Sequence, residues 1–420
     1  MEKPKIAILT IKNNYSFGGV LSYLREVYKF LGKYFDPTVF YLSFDSKISA
    51  NLKTLNFKND IRETNYLGMR VVEVGSKWAF WEPGHYKYSL NLWQKVLQDY
   101  DYFILVSGSN IAAYPLVKLN KKFLSIVSAG YQDDRAQRAD QLPMIRKFID
   151  FFSKFKMKKI EKEIFQKSSY SLPISKDTKK RINQIIGHNR DNLAICGFPM
   201  GVKVNGKSLS ENKNIIAVGR FSDPRKNFDM LMQSFNNIYE KDNSIKLYIV
   251  GSKPEQKQII KFSNQSFYKN IIFTGNLNKN ELAQFYEIAD LILITSYQEG
   301  LGLIGLEAMS YGIPVVATSC GGPKDFVIDG KNGFLVNIND YKNMAEKALY
   351  ILSSNDIYKD FSKYASSFVK DNYSKNKFES ILINGFITVY PELKNLFEYE
   401  IEKNDIIFSD SIKKEENINI

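Results

Sequence analysis

Two glutamates, Glu299 and Glu307, form the clearest chemical pattern in this sequence of 420 residues. Glu299 follows a strand-like apolar run at 291–296, and Gly300 and Gly302 come next, before a predicted helix. Glycine lets the backbone approach a ligand closely, and a helix start offers free N–H groups to a phosphate or a polyhydroxyl ligand. Because carboxylates accept hydrogen bonds from vicinal hydroxyls, the pair can hold sugar rings. A strand–loop–helix unit with two surface glutamates explains the spacing alone equally well.

A cationic turn favours the ligand site. Directly after the apolar run at 214–218, the sequence places Arg220, Arg225 and Lys226 in front of another helical pattern. Cations at such a position neutralise a diphosphate, and an arginine can do so with two parallel hydrogen bonds. A glycine pair at 321–322 follows a further strand-like run. Packing alone does not explain three strand ends that carry glycines, cations and paired carboxylates.

The second half of the sequence alternates continuous apolar runs with helical patterns. Strands are predicted at 214–220, 245–251, 271–275, 291–296 and 314–318, and helices at 228–239, 281–289 and 303–311. Uninterrupted apolar strands separated by helices indicate a parallel sheet that is covered on both faces. Such sheets bind ligands at the carboxyl ends of their strands.

The first half shows the same alternation, although 45–95 is irregular and the aromatic segment 78–93 has no assignment. Strands are predicted at 5–10, 37–43, 102–106, 123–127 and 170–174, and helices at 20–31 and 142–168. The sequence therefore predicts an α/β protein with two doubly wound Rossmann-like domains facing each other across a cleft. The predicted domains are 1–198 and 199–385, followed by a C-terminal helix and tail at 386–420 that can cross back to the first domain and frays after about residue 403.

The positive charge is concentrated in the first half. Residues 1–198 carry 32 Lys and Arg against 18 Asp and Glu, a net +14, whereas residues 199–420 carry a net −1. The asymmetry predicts an anionic partner for the first half, unless it reflects a generally lysine-rich proteome. In the segment 145–167, lysines and apolar residues recur at helical spacing. This predicts either a helix that lies on an anionic membrane or a core-packed helix with a solvated cationic face.

Composition disfavours several classes of site. The two cysteines and two histidines give neither a disulfide framework nor a His-based metal cluster. An Asp-x-Asp pattern at 99–101 precedes a predicted strand instead of following one, so we interpret it as coincidental. Cys320 has no basic partner and is not expected to act as a nucleophile. No signal peptide or spanning segment is predicted, which favours a cytoplasmic protein, either free or peripheral at the cytoplasmic face of the membrane.

The stretch 219–336 resembles the donor domain of glycosyltransferase family 4, a retaining group with the GT-B fold. Glu299 and Glu307 are similar to the E-x7-E signature of that family, and the surrounding GLGLIGLEAMSYGIPVVAT is similar to its consensus. The turn from Arg220 to Lys226 resembles the diphosphate-binding turn of the family. The resemblance is close over these residues and weak in the rest of the chain.

The resemblance implies a retaining transferase with a UDP- or GDP-linked hexose as donor and a glycan or lipid-linked acceptor. It implies that Glu299 contacts the hexose hydroxyls and that Glu307 holds the ribose. Arg220 and Lys226 would bind the diphosphate and stabilise the departing nucleotide without a metal or any further cofactor. The other implied donor-site residues are Gly300, Leu301, Gly302 and Leu303, with Gly18 and Gly19 in the first βα loop and Arg225 in the cationic turn.

The sequence departs from the family pattern in the second half at two places. The family lysine usually stands five residues after the arginine, where this sequence has Arg225. An insertion of one residue at Pro224 favours Lys226 in that role, with Arg225 as the alternative. After the glycine pair, Asp325 is the candidate substitute for a family glutamate.

A third departure concerns the acceptor side. Many family members carry a histidine after a middle strand of the first domain, and this sequence has none there. Asp133 and Asp134 are the candidate acceptor-binding residues in its place. His85 is an alternative, although a structural or exposed histidine is the simpler interpretation.

Two other classes of function stay open. A sugar-nucleotide epimerase or hydrolase on the same fold would use the donor site without an acceptor. A phosphorylase would carry a lysine for pyridoxal phosphate within a much longer chain, and this sequence lacks these features. A non-enzymatic nucleic-acid-binding protein would use the basic first half, but no helix-turn-helix, RRM or zinc signature is present. No nucleic-acid partner is therefore expected.

Overall fold

The computed structural model describes residues 2–11, 19–50, 58–77, 88–127, 144–189 and 193–398, with the backbone alone for 144–154. The chain divides into two compact units. The first comprises Met1–Gly197 together with Asn376–Ile420, and the second comprises Phe198–Lys375. The sequence predicted divisions after residues 198 and 385, so the observed second unit ends ten residues earlier than expected.

The first unit is built on a seven-stranded sheet with the order β3-β4-β2-β1-β5-β6-β7. Its strands are β1 (Lys5–Ile11), β2 (Asp36–Ser43), β3 (Ile61–Tyr66), β4 (Met69–Gly75), β5 (Tyr102–Ser107), β6 (Leu124–Val127) and β7 (Tyr170–Pro173). The helices are α1 (Gly19–Leu31), α2 (Leu90–Leu97), α3 (Tyr114–Lys118), α4 (Met144–Lys167) and α5 (Lys176–Ile186). The central strands are buried on both faces, which explains their uninterrupted apolar sequences.

The irregular segment of the first half holds a β-hairpin that sequence patterns did not reveal. β3 pairs with β4 in antiparallel fashion and forms an edge of an otherwise parallel sheet. Its sequence, IRETNY, is polar because the strand is largely exposed. The turn places Leu67 and Gly68 at φ values of 53° and 78°, as a two-residue hairpin turn requires. In the aromatic segment, 78–87 lies outside the described residues, whereas Tyr88 and Trp93 are core residues.

The second unit contains a six-stranded, entirely parallel sheet with the order β10-β9-β8-β11-β12-β13. The strands are β8 (Asn214–Val218), β9 (Lys246–Val250), β10 (Ile271–Gly275), β11 (Leu291–Ile294), β12 (Val315–Thr318) and β13 (Gly333–Val336). The helices are α6 (Phe228–Lys241), α7 (Gln256–Ser263), α8 (Lys279–Ile288), α9 (Leu303–Ser310), α10 (Pro323–Phe326), α11 (Tyr341–Ile351) and α12 (Asn355–Asn372). The predicted class, two doubly wound α/β domains, is confirmed.

The last helix, α13 (Lys375–Val389), packs within the first unit. Just after it, the hydroxyl of Tyr390 accepts a hydrogen bond from the backbone N–H of Phe103 at 3.0 Å and donates one to the carbonyl of Lys122 at 2.7 Å. Phe397 stacks on the ring of Phe30 in α1. The chain after the second unit therefore completes the core of the first.

The basic helix α4 has two different sides over its described half. Met157, Ile164 and Phe165 are buried in the first unit, while Lys158 and Lys159 point to solvent. Core packing with a solvated cationic face therefore holds for this half of the helix. In the described part of the chain, no helix combines the length and the apolar character that crossing a bilayer requires.

The sheet of the second unit makes a prediction about Gly333. An added Cβ at this position would lie 1.9 Å from the carbonyl oxygen of Val315 on the neighbouring strand, and neither backbone can yield without breaking the parallel pairing. Gly333→Ala is expected to destabilise the protein by about 3 kcal/mol or more, which lowers the thermal midpoint by roughly 6 °C or more. The control is Gly201→Ala, because nothing lies within 4 Å of an added Cβ there. Equal midpoints for the two variants would contradict the steric argument.

Candidate active site

Three neighbouring strands of the second unit end at one edge of its sheet. From β8 the chain passes outward to β9 and β10, and from β11 it passes outward in the other direction to β12 and β13. The strand order therefore reverses between β8 and β11. In open parallel sheets this reversal opens a crevice at the carboxyl ends of the strands, which is where ligands bind.

The turn after β8 holds its arginines in different ways. The Asp223 carboxylate accepts a hydrogen bond from the backbone N–H of Arg225 at 3.1 Å and another from its Nη2 at 2.8 Å. Arg220 lies farther from Asp223, at 3.7 Å, and its side chain is 45% exposed. Asp223 thus ties Arg225 into the turn, whereas the guanidinium of Arg220 is open to a ligand.

Lys226 crosses the end of β8 over a glycine. The Cε atom of Lys226 lies 3.1 Å from the position that a Cβ on Gly219 would occupy, and the carbonyl oxygen of Gly219 lies 2.0 Å from such an atom on Gly251. The glycines therefore allow the lysine stem and two strand ends to lie in close contact. This spacing directs the ammonium group towards the loop after β11.

The loop after β11 is fastened to the cationic turn by backbone and side-chain contacts. The backbone N–H of Tyr297 donates to the carbonyl of Arg225 at 2.8 Å, and the Thr295 hydroxyl donates to the carbonyl of Lys226 at 2.8 Å. Glu299 follows in this loop. Its Oε1 atom accepts hydrogen bonds from Lys226 Nζ at 2.5 Å and from the Ser296 hydroxyl at 2.6 Å. Ser296 and Thr295 escaped the sequence analysis because both look like ordinary strand-end residues.

The environment of Glu299 favours its charged form. Burial by itself raises the pKa of this carboxyl, since its side chain is only 15% exposed. The ammonium of Lys226, the Ser296 hydroxyl and the charge of Arg225 together outweigh that effect, so the pKa lies below its ordinary value. Glu299 is therefore a carboxylate held in place by a lysine.

The turn after β12 supports the same loop from its other side. The backbone N–H of Glu299 donates to the carbonyl of Cys320 at 2.9 Å, and the N–H of Gly322 donates to the carbonyl of Glu299 at 3.0 Å. A Cβ on Gly322 would lie 2.3 Å from the carbonyl oxygen of Leu301, so only glycine fits. Burial and the charge of Glu299 raise the pKa of the Cys320 thiol to about 12, which is consistent with a packing role.

Glu307 has a different environment on α9. Its Oε2 atom accepts a hydrogen bond from the hydroxyl of Tyr286, a residue of α8 that sequence reasoning did not single out. Burial raises the pKa of Glu307, and the Tyr286 hydrogen bond and the charge of Lys279 offset the shift only in part. No signal in the sequence connects Tyr286 to Glu307, because the two residues are 21 positions apart on separate helices.

The other predicted residues fall into three groups. Gly300, Leu301, Gly302 and Leu303 form the link from Glu299 to α9, and Gly302 has a φ of 77° at the helix start. Gly19 is the first residue of α1 in the first unit, and Asp325 lies half-buried in α10 after the β12 turn. Gly18, His85, Asp133 and Asp134 lie outside the described residues. Over the described ranges, no group of three His, Cys, Asp or Glu side chains is suitable for a metal ion.

Comparison with known proteins places this site in a family. Residues 203–368, which span the cationic turn and both glutamates, match the family described as glycosyl transferases group 1. The chain carries a glycosyl transferases group 1 domain. The resemblance read from the sequence motifs is thereby confirmed at the level of group 1 for residues 203–368.

Curated relatives of this group 1 domain carry related names. The chain is 27% identical over 45% of its length to the N-acetyl-alpha-D-glucosaminyl L-malate synthase of Bacillus anthracis, covering 47% of that protein. It is 31% identical over 38% of its length to the poly(ribitol-phosphate) alpha-N-acetylglucosaminyltransferase of Staphylococcus aureus, covering 32% of that protein. The matched region thus spans less than half of either relative.

The fold of nearly the whole chain, including the residues before the group 1 domain, matches solved structures. The crystal structure of the Anabaena protein HepE in complex with UDP matches 90% of this chain and 98% of that chain, with a TM-score of 0.68 and 14% sequence identity. At this identity the likeness establishes the fold alone. The predicted GT-B fold is confirmed.

The two glutamates of the group 1 domain are expected to affect the stability of the unliganded protein in opposite directions. The pKa of Glu299 is depressed on folding, so its stabilising effect is present above the unfolded pKa of about 4.5 and is lost as pH falls through the folded value. The pKa of Glu307 is raised on folding, so its protonated carboxyl favours the folded protein below the unfolded pKa. This contribution to stability is lost as pH rises through the folded value.

At pH 7, Glu299→Gln should therefore lower the free energy of unfolding by about 1–3 kcal/mol, because it leaves the ammonium of Lys226 without its counter-charge. Glu307→Gln should raise it by up to about 1 kcal/mol, since the new amide oxygen still accepts from Tyr286 without a buried charge. Thermal midpoints at pH 7 and at pH 4 measure both effects, and both should shrink at the lower pH. Equal losses of stability at pH 7 would contradict the opposite pKa shifts.

Proposed function

We propose that this protein transfers a hexose, with retention of configuration, from a UDP- or GDP-linked sugar to a glycan or lipid-linked acceptor. The observation that carries the proposal is the contact of Lys226 with Glu299 at the point where the strand order reverses. It brings a cation suited to phosphate and a carboxylate suited to sugar hydroxyls within one hydrogen bond of each other. A nucleotide sugar requires both kinds of group side by side.

Each residue of the site has a proposed part in donor binding. Glu299 accepts hydrogen bonds from hexose hydroxyls, and Glu307 accepts them from the ribose. Arg220 and Lys226 bind the diphosphate, and backbone N–H groups of the segment 300–303 orient the sugar. Arg225 is the weaker candidate for the diphosphate, because Asp223 already ties its guanidinium into the turn.

Proposed catalysis consists mainly of stabilising the leaving nucleotide. Negative charge builds up on the diphosphate as its bond to the hexose lengthens, and cations fixed beforehand at that position lower the barrier. Arg220 and Lys226 supply two positive charges without a metal ion. For the first unit, Gly18 and Gly19 are the proposed contacts with the donor phosphates or the acceptor, and Asp133 and Asp134 are proposed to bind the acceptor.

The names of the relatives suggest which donors to test first. Both curated relatives are named for an N-acetylglucosaminyl group, and HepE was solved in complex with UDP. We therefore place UDP-N-acetylglucosamine and UDP-glucose first and GDP-mannose as the guanine-linked comparison. A matching donor should raise the thermal midpoint by mass action, by about 2.7 kcal/mol of stabilisation at a hundredfold excess over its Kd.

Removing the cation of the ion pair should impair catalysis and should also cost stability, because it leaves the buried carboxylate of Glu299 without its counter-charge. Lys226→Ala is expected to lower kcat/KM by about 10²–10³-fold, because it removes a charge that stabilises the transition state. Glu307→Ala should reduce the donor-induced thermal shift, leaving the weaker binding that the diphosphate contacts of Arg220 and Lys226 supply. The matched control is Lys257→Ala, which removes a lysine that is 80% exposed on α7. If no UDP- or GDP-sugar shifts the wild-type midpoint, the proposed function is wrong.

An epimerase or hydrolase would use the same donor site, so the products must be identified. Donor consumption that needs no acceptor, with a free or isomerised sugar as product, would favour that alternative. Transfer of the hexose to added glycan or lipid-linked acceptors favours the transferase. A nucleic-acid-binding role is not proposed, since the polar groups described above suit a nucleotide sugar.

We further propose that the acceptor is reached at an anionic membrane surface. Phe155 on α4 is 65% exposed, and Lys156, Lys158 and Lys159 are exposed beside it. An exposed aromatic side chain among lysines suits the boundary between anionic headgroups and acyl chains. In this proposal the protein is cytoplasmic and attaches peripherally through the basic helix.

Flotation with vesicles tests the membrane proposal. The wild-type protein should float with anionic vesicles and stay behind with neutral ones. Replacing both Lys158 and Lys159 by alanine should weaken vesicle binding roughly 30-fold, since each lysine near an anionic surface contributes about 1 kcal/mol. The control carries the same loss of charge in the second unit, through Lys246→Ala and Lys257→Ala. If the wild type binds neither kind of vesicle, the membrane proposal is removed.

A further inference from the structure

One oxygen of Glu307 is occupied by the protein and the other is available. Oε2 accepts the Tyr286 hydrogen bond at 3.2 Å, whereas Oε1 has no hydrogen-bond partner within the described ranges. A carboxylate can accept about four hydrogen bonds in all. Glu307 is therefore held at one oxygen, and it retains the capacity to accept hydrogen bonds from hydroxyl groups of a ligand.

Tyr286 is itself fixed in place. Its side chain is buried with 3% exposure, and its ring packs on Tyr311 with centroids 5.4 Å apart. Tyr311 caps the end of α9, the helix that carries Glu307. The end of α8 is held by Lys207, whose Nζ donates to the carbonyls of Glu287 at 2.8 Å and Ala289 at 2.7 Å. The hydroxyl of Tyr286 therefore has little freedom to move away from Glu307.

The hydroxyl of Tyr286 stays protonated and can therefore donate a hydrogen bond to Glu307 at neutral pH. Burial and the neighbouring charge of Glu307 raise the pKa of Tyr286 well above its ordinary value, so the tyrosine stays protonated at neutral pH. A protonated hydroxyl bound to a carboxylate oxygen has its proton directed towards that oxygen. The orientation of the carboxylate of Glu307 is consequently set before any ligand arrives.

We propose that Tyr286 is a positioning residue that aims the free oxygen of Glu307 at the ribose hydroxyls of the donor nucleotide. This inference rests on the proposed function, because it names the part of the donor that the Tyr286–Glu307 pair selects. A purely structural tyrosine would contribute to stability alone. A positioning tyrosine contributes to affinity only when the ligand carries the hydroxyls that donate hydrogen bonds to Glu307.

The test compares Tyr286→Phe with wild-type protein for two ligands, UDP and 2′,3′-dideoxy-UDP, with the guanine pair used if GDP is the nucleotide that binds. Loss of a hydrogen bond to a charged group should weaken binding of the complete nucleotide by about 10–100-fold. Binding of the dideoxy nucleotide should stay the same in both proteins. In turnover, KM for the donor should rise while kcat at saturation is retained, as expected for lost ground-state binding.

Tyr358→Phe is the matched control. Tyr358 is a fully buried tyrosine of the same unit whose hydroxyl has no hydrogen-bond partner among the described residues, so its loss should change neither affinity. A second comparison uses the Glu307→Ala background, in which Tyr286→Phe should have no further effect on the affinity for the complete nucleotide. This coupling separates positioning from a general loosening of α8.

Three results would overturn the inference. They are equal affinity of Tyr286→Phe and wild type for the complete nucleotide, equal weakening for both nucleotides, and an undiminished effect in the Glu307→Ala background. If the wild-type protein binds the complete and dideoxy nucleotides equally, Glu307 does not accept hydrogen bonds from the ribose. A wild type that binds neither UDP nor GDP would reject the proposed function itself, which is a different outcome.

Discussion

The contact of Lys226 with Glu299 is the constraint that the rest of the site satisfies. A largely buried ammonium and a largely buried carboxylate stabilise each other only at hydrogen-bond distance, so the two loops that carry them must end close together. An added Cβ would meet the side-chain stem of Lys226 at Gly219, the backbone of Gly219 at Gly251 and the backbone of Leu301 at Gly322. Hydrogen bonds from Thr295 and Tyr297 to the cationic turn hold the spacing.

The two glutamates of the candidate site have different electrostatic environments. Glu299 has its charge balanced by a lysine, which holds its pKa low in spite of burial. Burial raises the pKa of Glu307, and the hydrogen bond from the Tyr286 hydroxyl and the charge of Lys279 offset this only in part. A buried carboxylate with few partners costs stability in the empty protein and becomes favourable when ligand hydroxyls reach it. The fold thus pairs Glu299 with a lysine, and it holds Glu307 through a tyrosine hydroxyl.

The excess of positive charge is distributed unequally between the two units. The second unit carries 21 Lys and Arg against 18 Asp and Glu, with three of these cations in the turn after β8, whereas the first unit carries 37 against 27. Along α4, apolar side chains enter the core of the first unit while lysines and Phe155 remain outside. A core-packed helix and a helix with an anionic partner are therefore compatible descriptions of the same element.

The sequence by itself predicted the central strands of both sheets, and it placed the candidate site in the second unit. Continuous apolar runs mark strands that are buried on both faces, and glycines with charged residues mark their ends. The β3–β4 hairpin was missed because an exposed edge strand carries no apolar periodicity. Only the tertiary structure showed that the two neighbouring cations of one turn have different partners, Lys226 pairing with Glu299 and Arg225 with Asp223. It alone revealed Tyr286, since contacts between separate helices depend on how α8 and α9 pack and leave no trace in local spacing.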